Sequence, residues 1–425
     1  MINISKYNNK YFLMMILVTG VLIAHFNTFS NKLIWDDINT IVKNTNIHRL
    51  ENIPSLLVSE DSIDVPTGYY RPITYVSFAL DYYLWGLNPV GYNITNILLH
   101  VLIVVLFYRL VAAVFKREDL AFISAIIFAL HPITCETINF HSGGRNTLLC
   151  GVFSILSFLL FVKKKTMPSV FFLLLAIFSK EFALLLPIIF LLYNKYISNN
   201  KIKWSYLLYV LSIIFYFVMR AYSVKKYSNP IKAIDTNAVY VIPEIIITYL
   251  KNMIYPLSLK SLYDIDYKVT LHSLSLYTIA LILLVLSAYI FRKKREISSS
   301  IIIFILFLLP VTNLFPLGAS MMSDRYAYFS LFGFSIALAY LICLAGKNVK
   351  LILTIAIILF FIPLDISRNA IWKDDISLFT HMIKDSPNMH FGYECLGYVY
   401  FDKQDYKNAD KYLKLSMDKN CFGSV

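Results

Sequence analysis

The chain has 425 residues, of which 58% are hydrophobic and only 15% charged, and its mean hydropathy is +0.63. Soluble globular domains carry about a quarter charged residues, so the composition excludes that class and indicates an integral membrane protein. The formal net charge of +13 does not predict nucleic-acid binding, because Lys and Arg gather in the cytoplasmic loops of polytopic proteins. The cysteines show no CxxC pair and no His/Cys metal spacing, so no disulfide framework is expected.

Apolar segments follow one another along most of the chain. Since a transmembrane helix needs about 20 apolar residues, they predict about eleven spans and an all-α polytopic fold. The predicted spans are 11–29, 92–114, 119–138, 147–162, 167–179, 182–197, 204–220, 272–290, 298–314, 326–345 and 349–366. No small-residue cleavage site follows the first segment, so we expect it to remain as an anchor.

Basic residues occupy every second connection between these spans, which predicts a cytoplasmic amino terminus. They are Lys116 and Arg117, Lys163 to Lys165, Lys195, Lys201 and Lys203, Arg292 to Arg295, and Lys347 and Lys350. This orientation places the first loop (30–91), the loop 139–146 and the carboxyl-terminal segment on the extracytoplasmic face.

One segment of the predicted membrane domain (1–367) departs from this charge pattern. Residues 220–271 would be extracytoplasmic, yet they contain seven Lys and Arg residues. Their apolar part, about 239–256, holds Pro243, Glu244 and Lys251, and we interpret it as re-entrant or interfacial. Irregular backbone at membrane depth must be buried in protein or line a wet cavity.

Residues 368–425 have a soluble character and an apolar period near that of a helix. Their pattern resembles a tetratricopeptide (TPR) repeat. The matching residues are Tyr393, Leu396, Gly397, Tyr400, Ala409, Leu413 and Ser416. An ordinary helical hairpin is the alternative. Since about three repeats are needed for independent stability, we expect this unit to lean on the membrane domain.

The first loop contains the acidic pair Asp36 and Asp37, a few residues beyond a span. One interpretation is a solvated helix cap next to Trp35 in the interfacial aromatic belt. The other is a functional carboxylate, because Tyr70 and Arg71 follow in the same loop and an aromatic interfacial helix begins at Pro72.

Further ionisable residues stand at or near the predicted extracytoplasmic ends of other spans. They are His131 and Glu136, Arg145, Lys180 and Glu181, and Asp324 and Arg325. Groups at a membrane boundary either pair with each other or have a role, and an extracytoplasmic arginine suits a phosphate or carboxylate. His100, inside a span, is either a satisfied core histidine or part of the site.

Read in order, several blocks resemble the transmembrane and TPR-containing proteins of the GT-C glycosyltransferase superfamily. The blocks are Trp35-Asp36-Asp37, Tyr70-Arg71-Pro72, Leu84-Trp85-Gly86, Tyr92-Asn93 with His100, His131-Pro132 with Glu136, Gly144-Arg145, Ser179-Lys180-Glu181, Tyr263-Asp264 and Asp324-Arg325-Tyr326. The family often shows an aspartate after its Gly-Arg pair, where this chain has Asn146-Thr147, and it often carries many repeats.

The resemblance implies an inverting transfer of a sugar, such as mannose, from a polyprenyl phosphate to a hydroxyl of a protein or glycan. It implies Asp36 as general base, with Asp37 holding the acceptor or a divalent metal, although no cofactor is certain. Arg71, Arg145, Lys180 and Arg325 would stabilise the leaving phosphate.

Two other classes of function remain open at this point. In a non-catalytic membrane scaffold, the repeat would recruit partners and the loops would have no chemistry. A lipid-linked glycan ligase or translocator would line a path to the cytoplasmic face with charged groups. Convergence of Asp36, Arg71 and Arg325 is expected only of the enzyme.

Overall fold

The structure is a computed structural model that describes residues 4–58, 69–198, 203–224, 236–263, 271–312 and 322–422. Within these ranges the chain is helical and contains no β-strand, as predicted. The α-helices are α1 (Ile4–Ala24), α2 (Ile53–Val58), α3 (Pro72–Trp85), α4 (Pro89–Phe115), α5 (Glu118–Leu130), α6 (Cys135–Asn139), α7 (His141–Val162), α8 (Thr166–Ser179), α9 (Leu186–Tyr193), α10 (Leu207–Ser223), α11 (Thr236–Ile254), α12 (Leu271–Ile290), α13 (Arg295–Leu308), α14 (Ser330–Cys343), α15 (Lys347–Ile371), α16 (Asp375–Asp385), α17 (His390–Asp402) and α18 (Tyr406–Phe422).

Among the described residues, five helical segments are long and apolar enough to cross a membrane. They are Pro89–Phe115, His141–Val162, Glu181–Ser198, Trp204–Ser223 and Lys347–Ile371. The bent pair Glu118–Leu130 and Pro132–Asn139 makes a sixth if it counts as one span. Several shorter apolar helices accompany them, so the chain is a multi-pass membrane protein, and the number eleven stays a prediction.

Helices α4, α5, α7 and α14 form the centre of the bundle, where aromatic rings fill the space between them. Phe332 of α14 stacks on Phe128 of α5 at 4.4 Å between ring centroids and lies 4.7 Å from Phe107 of α4. Helix α14 also passes very close to α13, because a Cβ atom at Gly333 would lie 2.4 Å from the carbonyl oxygen of Ser300. A larger residue at Gly333 would force these two helices apart.

Pro132 interrupts the helix that the apolar run 119–138 predicts. Proline lacks the backbone N–H that would continue the helical hydrogen bonds, and the axes of α5 and the segment after it differ by 53°. His131 stabilises the bend, since its Nδ1 accepts from the N–H of Ile133 and its Nε2 donates to the carbonyl of Met253. The bend brings Glu136 beside the segment that precedes α14.

The segment predicted to be re-entrant or interfacial forms one continuous helix, α11, in spite of Pro243. Tyr249 and Met253 are buried on its inner face, and the Tyr249 hydroxyl donates to the carbonyl of Ser323 at 2.9 Å. The broken backbone of a re-entrant loop is therefore absent from residues 236–254, and an interfacial or spanning position stays a prediction.

The carboxyl-terminal helices α16 to α18 share a core with the beginning of the first loop. Ile34 of that loop lies in the same buried cluster as Trp372, Phe379 and Leu396. Helices α17 and α18 form a close hairpin, in which a Cβ atom at Gly397 would meet Leu413 at 2.7 Å. The hairpin packs at the positions of the repeat pattern, while its assignment as a TPR unit stays a prediction. Helix α15 continues through the predicted domain boundary at residue 367 to Ile371.

Candidate active site

The two adjacent aspartates of the first loop have different environments. Asp37 is fully buried, and its carboxylate accepts from the His141 ring at 3.0 Å and from the backbone N–H of Ser142 at 2.7 Å. Because both of its oxygens are held by protein donors, Asp37 fastens the loop to α7 and is poorly placed to bind a metal or an acceptor. Asp36, in contrast, is exposed.

The Asp36 carboxylate lies beside packed protein although solvent reaches it. Desolvation raises its pKa above the ordinary aspartate value, and the nearby Arg325 guanidinium opposes that rise. A carboxylate with a raised pKa is a stronger base than a fully hydrated one. Asp36 therefore combines exposure, basicity and a cationic neighbour.

Trp35, directly before Asp36, has a strained backbone conformation. Its φ angle is 54°, which is in the left-handed region that costs a non-glycine residue about 1–2 kcal/mol. Two contacts compensate for this strain: the indole stacks on Phe140 at 4.9 Å, and the backbone N–H donates to the Asp375 carboxylate of α16 at 2.8 Å. The carboxyl-terminal helices thus position the loop that carries Asp36.

Arg325 pairs with Glu136. Its guanidinium donates to a Glu136 oxygen, and its backbone N–H donates to the other oxygen at 3.2 Å. The Arg325 side chain keeps 15% of its surface exposed while Glu136 keeps 1%, so part of the arginine remains accessible. The Phe140 and Tyr326 rings lie against its face at 5.2 and 4.9 Å.

Arg71 pairs with Glu181, which follows α8. The guanidinium donates to Glu181 Oε2 from two nitrogens, at 3.1 and 2.8 Å, and lies 4.1 Å above the Tyr69 ring. Its side chain is 16% exposed. Like Arg325, it is paired with one carboxylate and remains partly exposed.

Lys180 is the least compensated cation of the site. It is 4% exposed, and its Nζ donates to the Thr147 hydroxyl at 2.6 Å. Glu181 is the carboxylate that interacts with it electrostatically, but Glu181 already pairs with Arg71. Burial, together with the nearby positive charges of Arg71 and Arg325, lowers the pKa of Lys180 to about 7. Lys180 thus has no carboxylate of its own in the part of the chain that the structure describes, and a buried ammonium group in that situation favours the binding of an anion.

We call Arg71, Lys180 and Arg325 the cation cluster. They come from three distant segments, and both arginines lie within electrostatic range of Lys180. Arg325 also interacts with Asp36, so the cluster and the carboxylate share one region. Two carboxylates, Glu136 and Glu181, neutralise two of the three cations. Within the described ranges, Lys180 is the member of the cluster that has no carboxylate of its own.

The structure places other predicted site residues outside this region. Arg145 is fully buried in an ion pair with Asp81 at 2.7 Å, so its guanidinium is not directed at a ligand as expected. His100 contacts the Tyr328 hydroxyl at 2.8 Å inside the bundle, which is the core role foreseen as its alternative.

Three further predicted site residues bind other groups of the protein, and the position of a fourth is not described. His131 caps the bend after α5, Tyr70 donates to the Leu57 carbonyl at 2.6 Å, and Asp324 pairs with Arg368 at 3.0 Å. Asp264 lies outside the described residues. Within the described ranges, no group of three or more His, Cys, Asp or Glu side chains is arranged to hold a metal ion.

Sequence reasoning missed two residues that shape the site, Thr147 and Asp375. Thr147 follows the Gly-Arg pair in α7 and binds Lys180, which is 33 residues away in the chain. Asp375 belongs to an acidic pair at the start of α16. Asp374 caps that helix by accepting from the Ser377 N–H at 2.9 Å, and the pair would ordinarily predict only this cap.

Comparison with known proteins shows relatives along most of the chain, although no protein-family model matches it. The chain is 25% identical over 427 residues to the Caenorhabditis elegans "Protein O-mannosyl-transferase F38B6.6". The aligned region covers 94% of this chain and 61% of that protein. It is 36% identical over 127 residues to the mouse "Protein O-mannosyl-transferase TMTC1", covering 27% of this chain and 13% of that protein. It is 31% identical over 199 residues to the human "Protein O-mannosyl-transferase TMTC4", covering 40% and 26%. The chain thus spans less than two thirds of the length of these relatives.

Proposed function

We propose that this chain, a relative of the TMTC-type protein O-mannosyl-transferases, is a membrane-embedded glycosyltransferase. It transfers a hexose such as mannose from a polyprenyl phosphate to a hydroxyl group of an extracytoplasmic protein. The observation that carries the proposal is the buried Lys180, which has no carboxylate of its own among the described residues and belongs to a cation cluster that adjoins Asp36. A scaffold has no need for an uncompensated buried charge at that point.

Asp36 acts as the general base. It takes the proton of the acceptor hydroxyl as the oxygen attacks the anomeric carbon, and the bond from that carbon to the phosphate oxygen breaks. A positioned base contributes about 10²–10⁴-fold in rate. Because the phosphate leaves as a stable anion, no acid partner of the kind that glycoside hydrolysis requires is needed. Attack opposite the leaving phosphate inverts the anomeric centre.

The cation cluster binds the phosphate and stabilises the negative charge that develops on it. Arg71 and Arg325 present the parts of their side chains that remain exposed, and Lys180 supplies the charge that Glu136 and Glu181 leave unbalanced. All three side chains are already fixed by contacts with protein before the donor binds. Such preorganised charge is a large contributor to catalysis, since little reorganisation is needed during the reaction.

A transfer assay tests this function. Membranes that contain the protein are incubated with a panel of polyprenyl-phosphate sugars and a Ser/Thr-rich acceptor protein, and the labelled acceptor is counted. We expect one hexose donor to be used and Lys180→Met to lower the rate on the order of 10²-fold. Lys373→Met is the matched control, because Lys373 is exposed. Absence of transfer from every donor by folded wild-type protein would reject the proposal.

The pH dependence of kcat/KM for the donor reports the ionisation of the free enzyme. We expect activity to fall in acid as Asp36 is protonated, at a pH above the ordinary aspartate range, and to fall above about pH 7 as Lys180 loses its proton. Lys180→Arg should move the alkaline limb to higher pH, because arginine remains protonated. An alkaline limb that is identical in wild type and Lys180→Arg would assign it to another group.

Asp375 is a positioning residue for Asp36 in this scheme. In Asp375→Ala the N–H of Trp35 loses its acceptor, so the strained loop can relax and turn Asp36 away. We expect kcat to fall about tenfold, equivalent to about 1.4 kcal/mol, with little change in the donor KM. Asp375→Asn keeps a side-chain oxygen and should retain most of the activity. Equal kcat in all three proteins would show that α16 does not position the base.

A further inference from the structure

A cavity of about 400 Å³ lies between α4, α7, α9, α13 and α14, and its lining includes neither Asp36 nor the cation cluster. Its walls are almost entirely aromatic and aliphatic, and Phe158, Tyr193, Ile302 and Phe307 are among its lining residues. Because lining residues extend along α13 from Arg295 to Phe307, the cavity is about 18 Å long at the helical rise per residue. These dimensions and this chemistry suit a hydrocarbon chain.

The cavity has a charged end. Arg292 and Arg295, in and after the turn between α12 and α13, line it there. Arg295 donates to the carbonyl of Ile197 at 3.1 Å, and the guanidinium of Arg292 lies 4.1 Å above the Tyr289 ring. Both guanidinium groups therefore have fixed positions at the end of an apolar space. Lys293 and Lys294 stand between them in the sequence and are exposed, but they do not line the cavity.

The opposite end of the cavity approaches the candidate active site but meets an aromatic barrier. Phe307 and Phe329 line the cavity and stack at 5.3 Å, and Phe329 stacks in turn on Phe182 at 5.3 Å. Lys180 lies on Phe182, 5.0 Å from the ring centroid. The three rings stand between the cavity and the cation cluster, so the charge that a ligand of this cavity meets is that of Arg292 and Arg295.

We propose that this cavity binds an acidic phospholipid, with its phosphate at Arg292 and Arg295 and one acyl chain along α13. The charge at the mouth selects an anionic headgroup, because basic pockets between membrane helices attract such lipids. The planar guanidinium groups suit a phosphate diester, which they can bind through two parallel hydrogen bonds. The bound lipid ties α9 and the turn before α13 together and stabilises the bundle.

Thermal unfolding of the full-length protein in nanodiscs tests the proposal. We expect the melting temperature to be higher in discs with phosphatidylglycerol than in discs of phosphatidylcholine alone. Arg292→Gln/Arg295→Gln should weaken phosphatidylglycerol binding on the order of 10- to 30-fold and abolish most of the increase. Lys293→Gln/Lys294→Gln removes the same charge from the same turn and should preserve it.

A second variant addresses the acyl chain. Ile302→Trp fills the cavity with an indole ring, so it should remove the phosphatidylglycerol effect while the protein stays folded in phosphatidylcholine discs. The proposal would be overturned if the wild-type protein had the same melting temperature in both kinds of disc. It would also be overturned if both double variants lost the phosphatidylglycerol-dependent increase equally. Displacement of phosphatidylglycerol by a polyprenyl phosphate would also overturn it and would assign the cavity to a donor lipid.

Discussion

Asp36→Asn is expected to abolish sugar transfer while the amount of folded protein in the membrane stays at the wild-type level. Asparagine has nearly the shape of aspartate and cannot accept the proton of the acceptor hydroxyl, so the rate should fall about 10²–10⁴-fold. Asp36 is exposed and makes no ion pair among the described residues, which removes any structural reason for unfolding. Donor binding should change little, since the cation cluster is intact.

Two comparison variants make this result specific. Glu51→Gln neutralises an exposed carboxylate of the same loop and should leave transfer unchanged. Asp37→Asn weakens the buried contacts with His141 and Ser142, so it should lower the melting temperature as well as the activity. Transfer by Asp36→Asn at the wild-type rate would place the base elsewhere.

The largest effect on stability is expected at Arg145. In Arg145→Gln the Asp81 carboxylate remains buried without its cation, and removal of one partner from a buried pair costs about 3–5 kcal/mol. The variant should therefore unfold at a much lower temperature in detergent. The same experiment distinguishes the ion pair from the phosphate-binding role that the sequence suggests for Arg145.

The double variant Asp81→Asn/Arg145→Gln provides the decisive control. It removes both charges of this ion pair together, so neither side chain is left as a buried charge without its partner, and we expect it to regain part of the lost stability. Arg109→Gln, an exposed change on α4, should have no effect. If the double variant is less stable than the sum of both single changes predicts, Arg145 acts mainly through its other hydrogen bonds to Asn96 and Ser77.

The sequence located the charged groups of the site but not their roles. The sequence predicted a phosphate-binding role for Arg71, Lys180 and Arg325, and these three residues lie together. It predicted the same role for Arg145, which also stands in a polar loop next to a span. The structure pairs Arg145 with Asp81 instead. Local sequence carries no information that separates these cases. The partner of each arginine is far away in the chain: Arg71 is 110 residues from Glu181, and Arg325 is 189 residues from Glu136.

The amino-acid sequence by itself determined the membrane class, the helical fold and the set of residues with ionisable groups, because composition and apolar run length act locally. Only the tertiary structure decided that Asp37 is held by His141, 104 residues away, while its neighbour Asp36 is exposed. It also decided that Lys180 is buried with no carboxylate of its own among the described residues, and that Asp375 binds the loop at Trp35, 340 residues away. Adjacent residues of one loop thus have different environments, so their chemistry depends on what the rest of the chain places there.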